Sequence, residues 1–315
     1  MVSFAVKRIV GLLGALWATS FLVFASLYIA PGSPISYLTG GRQVSPATLA
    51  AIERQYGLDR PFFVQYWSWL TGVLQGNLGK SLVYQESVAR LLGPRAVNTA
   101  LLMAYGGGII LVAGIGLGIL SAVRGGWTDS AVMVGTTIGM AVPSFVMSVV
   151  LILVFGVELG WLPTFGSGAG LGSKLVHLTL PALALALAGT AYVARLTRTA
   201  AAEELARDHV ETARARGIPE RMVIRRHVVR NSLIPVTTVA GITIAGLIAG
   251  SVIVESAFSL NGLGAYLVQA VNEKDFPVVQ AITLLLVAAF IIVNTAVDLL
   301  YVVLDPRVTF WSSTV

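Results

Sequence analysis

The chain has no cysteine, which removes structural disulfides, thiolate metal sites, cysteine nucleophiles and iron–sulfur clusters from consideration. Charge is nearly as scarce: 11% of the 315 residues are charged, where an average soluble domain carries roughly 25%. The three histidines, His177, His209 and His227, are scattered and share no metal-ligand spacing. No acyl-transfer, hydrolase or zinc motif is visible, so the chain reads as non-catalytic. Its net charge of +6 does not point to nucleic acid, because the basic residues are mostly spaced between apolar runs, with no aromatic-and-basic platform.

Apolar residues fill the space left by these shortages, at 56% of the chain. A bilayer core of about 30 Å is crossed by about 20 apolar residues in a helix. Six runs meet that length: Ile9 to Ile29, Asn98 to Val123, Ala131 to Val157, Val176 to Ala194, Leu233 to Ser256 and Val278 to Leu304. The expected fold class is an all-α polytopic membrane protein with six transmembrane helices. Lys7 and Arg8 precede the first run as in a signal peptide, but its length and the lack of a small-x-small cleavage site make it a retained anchor.

Orientation follows from lysine and arginine, which translocated segments avoid. With the N-terminus inside, thirteen lie on the inner side: Lys7, Arg8, Arg124, the nine arginines from Arg195 to Arg230, and Arg307. Lys174 and Lys274 lie in the short outer loops. Six more lie in the 30–97 segment, which is long enough to be largely exempt. Both termini are therefore expected in the cytoplasm. The expected divisions are 1–29 (tail and first span), 30–97 (extracytoplasmic helical segment), 98–304 (five-span core containing a cytoplasmic loop, 195–231) and 305–315 (cytoplasmic tail).

The 30–97 segment has its own pattern. Ser45-Pro46-Ala47-Thr48 followed by Leu49, Ile52 and Tyr56 reads as a capped helix ending near Gly57. Phe62 to Leu70 reads as a second helix with aromatic residues at the outer interface, and Glu86 to Leu92 as a third short one. Within the spans, Gly114, Gly116 and Gly118, and Gly241, Ala245, Gly246 and Gly250, suit close backbone approach. Pro143 and Pro181 are expected to bend their helices.

Gly76-Asn77-Leu78-Gly79-Lys80-Ser81 ends like a nucleotide-binding loop, but Leu74 stands where that loop requires glycine. Intramembrane charge, the usual mark of an ion-coupled carrier, is limited to Asp298, with Glu255 at the outer end of its span. The energy source is therefore expected on another polypeptide.

The loop Arg195 to Asn231 is the specific part. Thr199 to Arg216 reads as a helix with Glu203 and Glu204 early, Arg214 and Arg216 late, and a stop at Gly217. Ile218-Pro219-Glu220 breaks the chain, and a second helix follows to Arg230. From composition alone, a compact knob and an ordinary basic loop remain equally open.

Glu211-Thr212-Ala213-Arg214-Ala215-Arg216-Gly217 resembles the EAA signature of ABC importer permeases, with Thr212 replacing the first alanine. Ile-x-Leu-Pro is absent from its usual place downstream. Ala-Arg-Ala-Arg-Gly, Arg226-His227 and Arg230-Asn231-Ser232-Leu233-Ile234-Pro235 instead resemble the loop of dipeptide and oligopeptide permeases. So do Ala30-Pro31-Gly32-Ser33-Pro34, Tyr56 to Pro61, Gln65-Tyr66, Gly76 to Ser81, Phe258 to Gly264 and Asp298 to Arg307 with its Leu304-Asp305-Pro306-Arg307 ending. Asn77 and Asn261 replace the aspartate and proline common in that group.

The resemblance implies a type I ABC importer transmembrane domain, one peripheral N-terminal span plus a five-span core, in a bacterial cytoplasmic membrane. It implies a second, homologous permease as heterodimer partner, two ATPase subunits that bind ATP and Mg, and an extracytoplasmic substrate-binding protein. This chain itself would bind no cofactor. ATPase contact would fall to Asp208, Glu211, Thr212, Ala213, Arg216 and Gly217. An extracytoplasmic gate loop is expected at Phe258, Asn261, Gly262 and Gly264, where the glycines would allow a tight turn. The cargo implied is a di- or oligopeptide, with nickel, glutathione or oligosaccharides as alternatives. An ion-coupled carrier and a membrane scaffold or sensor are the competing classes.

Overall fold

The computed structural model describes residues 2–29, 45–47, 54 and 59–304, the side chains at 2–8, 27–29, 234 and 298–304 apart. Of the expected Ser45 to Tyr56 helix only 45–47 and 54 are described, and the Ala30 to Pro34 motif, the 305–315 tail and the side chain of Asp298 lie outside the described parts. Every regular element among the described residues is helical, with one antiparallel bridge between Lys80 and Ser87.

By length and composition, the helices able to cross a membrane lie at Ile9–Ser26, Val88–Arg124, Gly170–Leu205, Pro235–Ala257 and Phe276–Val297. The pair Gly126–Ala141 and Ser144–Glu158, bent by 105° at its break, passes the same test together, which makes six spans among the described residues when the pair is counted as one. The bend has a local cause. Pro143 has no N–H to donate and pushes Val142 out of the helical region, to φ −88° and ψ 118°. Pro181, by contrast, lies within a helix that continues from Gly170 to Leu205.

The chain divides into two compact units, 1–97 with 262–291, and 98–261 with 292–315. In the first unit, α1 (Val2–Ile29) packs on α2 (Phe62–Leu74) through Phe21, Phe24, Phe62, Tyr66 and Trp69. Tyr66 is buried, its hydroxyl 2.8 Å from that of Ser20. Trp67 and Phe63, on the other side of α2, are exposed, which suits rings facing lipid. The short helix expected at Glu86 to Leu92 is instead the start of a long one: α3 runs Val88–Ile109 and passes through Pro94.

In the second unit, α3 continues through a π-helical turn at Ile110–Gly114 into α4 (Ile115–Arg124). Then come α5 (Gly126–Ala141), α6 (Ser144–Leu151) with its π-helical extension Ile152–Glu158, and α7 (Gly170–Leu205). Helix α7 is the central element, and Leu178, Leu180, Leu185 and Val193 on it are buried with Leu102 and Ile110 in one core. Small residues let its neighbours close in: a Cβ on Gly118 would lie 2.5 Å from the Ala194 carbonyl oxygen, and one on Gly114 2.9 Å from Val193. Gly116, between them, is exposed and meets nothing. The polar contacts of α7 are equally local. Arg198 forms a two-pronged pair with Asp129 at 2.7 and 3.0 Å, and Ser121 donates to the same carboxylate at 2.5 Å.

Candidate functional site

The knob after α7 differs from the single helix expected over Thr199 to Arg216. Helix α7 runs on to Leu205, the chain breaks at Ala206 and Arg207, and a separate eight-residue helix, α8 (Asp208–Ala215), follows. Arg207 is extended at φ −83° and ψ 146°, and Asp208 and Glu211 occupy the first turn of α8, where negative charge complements the exposed N–H groups.

The end of α8 is built as its glycine suggests. Gly217 adopts φ +74°, a region that costs other L-residues about 1–2 kcal/mol. Its N–H donates to the Arg214 carbonyl at 2.9 Å, and the Ile218 N–H reaches back to the Ala213 carbonyl at 3.2 Å. These are the two hydrogen bonds of a Schellman cap. Ile218 then folds onto a small core of Ala201, Val210, Ala213, Val223 and Val228. The chain returns through α9 (Glu220–Val223), a π-helical segment Ile224–Val229 and α10 (Arg230–Ala257).

This core separates the expected contact residues. Asp208, Glu211, Thr212, Arg216 and Gly217 are exposed. Ala213 is not: only 4% of it is accessible, and it faces the core of the knob itself. Its small size serves packing within the chain. On the open side, Arg214 pairs with Glu220 through Nε–Oε2 at 3.1 Å and Nη2–Oε1 at 2.7 Å. Those hydrogen bonds hold the Glu220 carboxyl below its ordinary pKa and the Arg214 guanidinium above its own.

At the foot of the knob lies a group that the sequence reading placed only as helix-start charge. The Glu204 side chain is 6% exposed and has partners from three segments. Arg207 Nε and His209 Nε2 each lie 3.1 Å from it, and Asn231 Nδ2 donates to it at 2.7 Å. A cavity of about 400 Å³ opens beside it, lined by Glu203, Arg207, Asn231, Ser232 and Pro235 among others.

The expected gate loop has a different geometry from the glycine turn anticipated. Phe258 is buried. The left-handed residue is Ser259, at φ 48°, whereas Gly262 is extended at φ −116° and Gly264 lies within α11 (Leu263–Glu273). Neither glycine uses its conformational freedom here. Asn261 is fixed by its backbone: its carbonyl accepts from Asn98 at 2.7 Å and its N–H donates to Ser167 at 2.9 Å. Nearby, fully buried Glu255 accepts from Thr99 at 2.7 Å, a burial that its place at the end of an apolar run does not signal.

Comparison with known proteins gives a consistent picture. Residues 114–310 match the family model described as "Binding-protein-dependent transport system inner membrane component", and residues 1–95 match its N-terminal counterpart. A glutathione transport system permease protein of Pectobacterium atrosepticum is 38% identical over 311 residues, covering 98% of this chain and all of that one. Its Escherichia coli K12 counterpart is 36% identical with the same coverage. A Brucella ovis protein named as a peptide permease is 39% identical over 316 residues, covering 98% of this chain and 99% of that one. A solved structure of the MetNI methionine ABC transporter aligns with 68% of this chain and 96% of its own at TM-score 0.55 and 20% identity, a likeness of fold.

Proposed function

The chain belongs to the binding-protein-dependent transport system inner membrane components, the permease subunits of ABC importers, and from that premise we propose that it carries short peptides and couples to its ATPase through α8. The observation that carries the coupling assignment is the build of the knob. An eight-residue helix, capped at Gly217 and seated on its own small core, presents Asp208, Glu211, Thr212 and Arg216 to solvent. A polar helix seated on the ends of α7 and α4, through Ala201, Ile119 and Ala122, suits insertion into a groove on a moving partner. The arginine distribution supports a cytoplasmic position for the knob and for both termini.

In this reading, ATP and Mg bind to two partner ATPases, and a second, homologous permease completes the pathway as a heterodimer. Closure of the ATPases draws the knobs together and switches the cavity between inward and outward access. A substrate-binding protein delivers cargo from outside. Peptide cargo is supported by relatives named for peptides and for glutathione, itself a peptide. The glutathione relatives make that tripeptide the second reading within the same class.

The test is reconstitution of the full complex with its binding protein, measuring ATPase stimulation and uptake for peptides of graded length, glutathione, nickel and oligosaccharides. Stimulation by peptides or glutathione is the expected result. Stimulation by nickel or sugars alone overturns the cargo class, and gradient-driven uptake without an ATPase overturns the coupling assignment.

A further inference from the structure

The joint between knob and spans is organised around one buried carboxylate. Glu204 is in the last turn of α7, just before the break at Ala206 and Arg207. Its contacts to Arg207, His209 and Asn231 tie together the break, the start of α8 and the start of α10. A buried carboxylate is kept only when its oxygens are paired, because leaving it unpaired is costly.

The second helix at this joint is weakened where Glu204 holds it. Pro235 lies inside α10, and a proline takes away the hydrogen bond to the carbonyl four residues earlier, which is that of Asn231. The six residues before α10 are π-helical, a form common where helices are adapted to function. The cavity of about 400 Å³ adjoins the same residues, with Pro235, Asn231 and Arg207 in its wall. Around Glu204 the joint therefore combines a helix break, a proline-weakened turn, a π segment and an adjoining cavity. Another knob-to-span contact is the compact apolar core, where Val210 and Ala213 of α8 meet Ala201 of α7 and Ile119 and Ala122 of α4.

We infer that Glu204 is a positioning residue for coupling: it sets the angle of α8 on α7 and α10, so that displacement of the knob moves the spans instead of being lost in the joint. This rests on the assignment of α8 as the ATPase-docking helix. Asn231 is the matching half on α10, and Arg207 and His209 hold the carboxylate from the side of the knob.

The experiment uses the whole reconstituted complex. Glu204→Gln keeps a hydrogen-bonding amide toward Asn231 but removes the charge that holds Arg207 and His209. Asn231→Ala leaves that charge and cuts only the link to α10. For each variant, assembly with the ATPases, ATP hydrolysis and cargo moved per ATP are measured beside the unaltered chain. The expected result is normal assembly and continuing hydrolysis, with cargo per ATP reduced about tenfold, within the usual range for loss of one coupling interaction. Normal cargo per ATP in both variants overturns the inference. Failure of both to assemble also overturns it, by assigning Glu204 a folding role. If the unaltered chain itself does not bind or stimulate an ATPase, the docking assignment falls instead.

Discussion

The Ser81 hydroxyl donates to the Asp275 carboxylate across 194 positions of sequence, and the N–H groups of Leu82 and Val83 close on the same side chain at 3.1 and 3.4 Å. The stretch that imitates the end of a nucleotide-binding loop is thus an anion cradle whose anion comes from this chain. Gly76 and Gly79 supply the positive φ values, +80° and +84°, and the Asn77 side-chain oxygen accepts the Gly79 N–H at 3.0 Å. That explains why asparagine can stand at a position where aspartate is common: either residue offers the same acceptor.

Asp275 is buried, so Asp275→Ala leaves several donors without their partner. Leaving a buried donor unsatisfied costs about 1–3 kcal/mol. The expected outcome is a lower melting temperature for the detergent-purified protein, with a smaller drop for Asp275→Asn, which keeps one acceptor oxygen. Equal melting of Asp275→Ala and the unaltered chain would mean that the cradle contributes nothing to stability.

Gly118 and Gly116 form a controlled pair on one helix. A Cβ at Gly118 collides with the α7 backbone, whereas one at Gly116 meets nothing. Gly118→Ala should destabilise by about 1–3 kcal/mol, the usual range for overpacking. Gly116→Ala should be neutral or slightly favourable, because alanine is the better helix former. Thermal melts of the two variants side by side check this, and similar shifts would contradict the packing of α4 on α7.

The Arg214–Glu220 pair makes a prediction about pH. The carboxyl of Glu220 is held below its ordinary pKa, chiefly by the hydrogen bonds from Arg214. Its contribution is therefore present above the unfolded carboxylate pKa and is lost as pH falls through the lowered value in the folded knob. Both side chains are exposed, so the effect should be small and weakened by salt. Hydrogen exchange of α8 amides should accelerate slightly in acid relative to neutral pH after correction for intrinsic rates, and Glu220→Gln should abolish that difference.

Where the sequence sufficed and where it failed has physical causes. The spans were legible because a bilayer demands long apolar runs, and Pro143 because a proline without an N–H breaks a helix at membrane depth. The cap at Gly217 was legible for a similar reason, since a left-handed residue after a helix favours glycine. The break at Ala206 and Arg207 was not, because alanine, glutamate, leucine and arginine are good helix formers on both sides of it and no glycine or proline marks the turn. The burial of Glu204, Glu255 and Asp275 depends on partners 27, 156 and 194 residues away, Asn231, Thr99 and Ser81. Single-chain patterns of hydrophobicity carry no sign of such pairings.

Ala213 and Glu211 separate folding of the knob from its docking. Both fall in the EAA-like stretch, but Ala213 is buried among Val210, Val223 and Val228 while Glu211 is exposed. Ala213→Asp puts an unpaired carboxylate into that core, at more than the roughly 1–3 kcal/mol that an unpaired neutral polar group costs. It should uncouple transport by loosening the knob, seen as lost hydrogen-exchange protection across 208–230. Glu211→Gln alters an exposed side chain, where substitutions usually stay within about 0.5 kcal/mol. It should leave that protection intact and weaken only ATPase binding. Uncoupling by Ala213→Asp with the knob still fully protected would return Ala213 to the docking surface, because the defect would then have to arise at the contact with the partner.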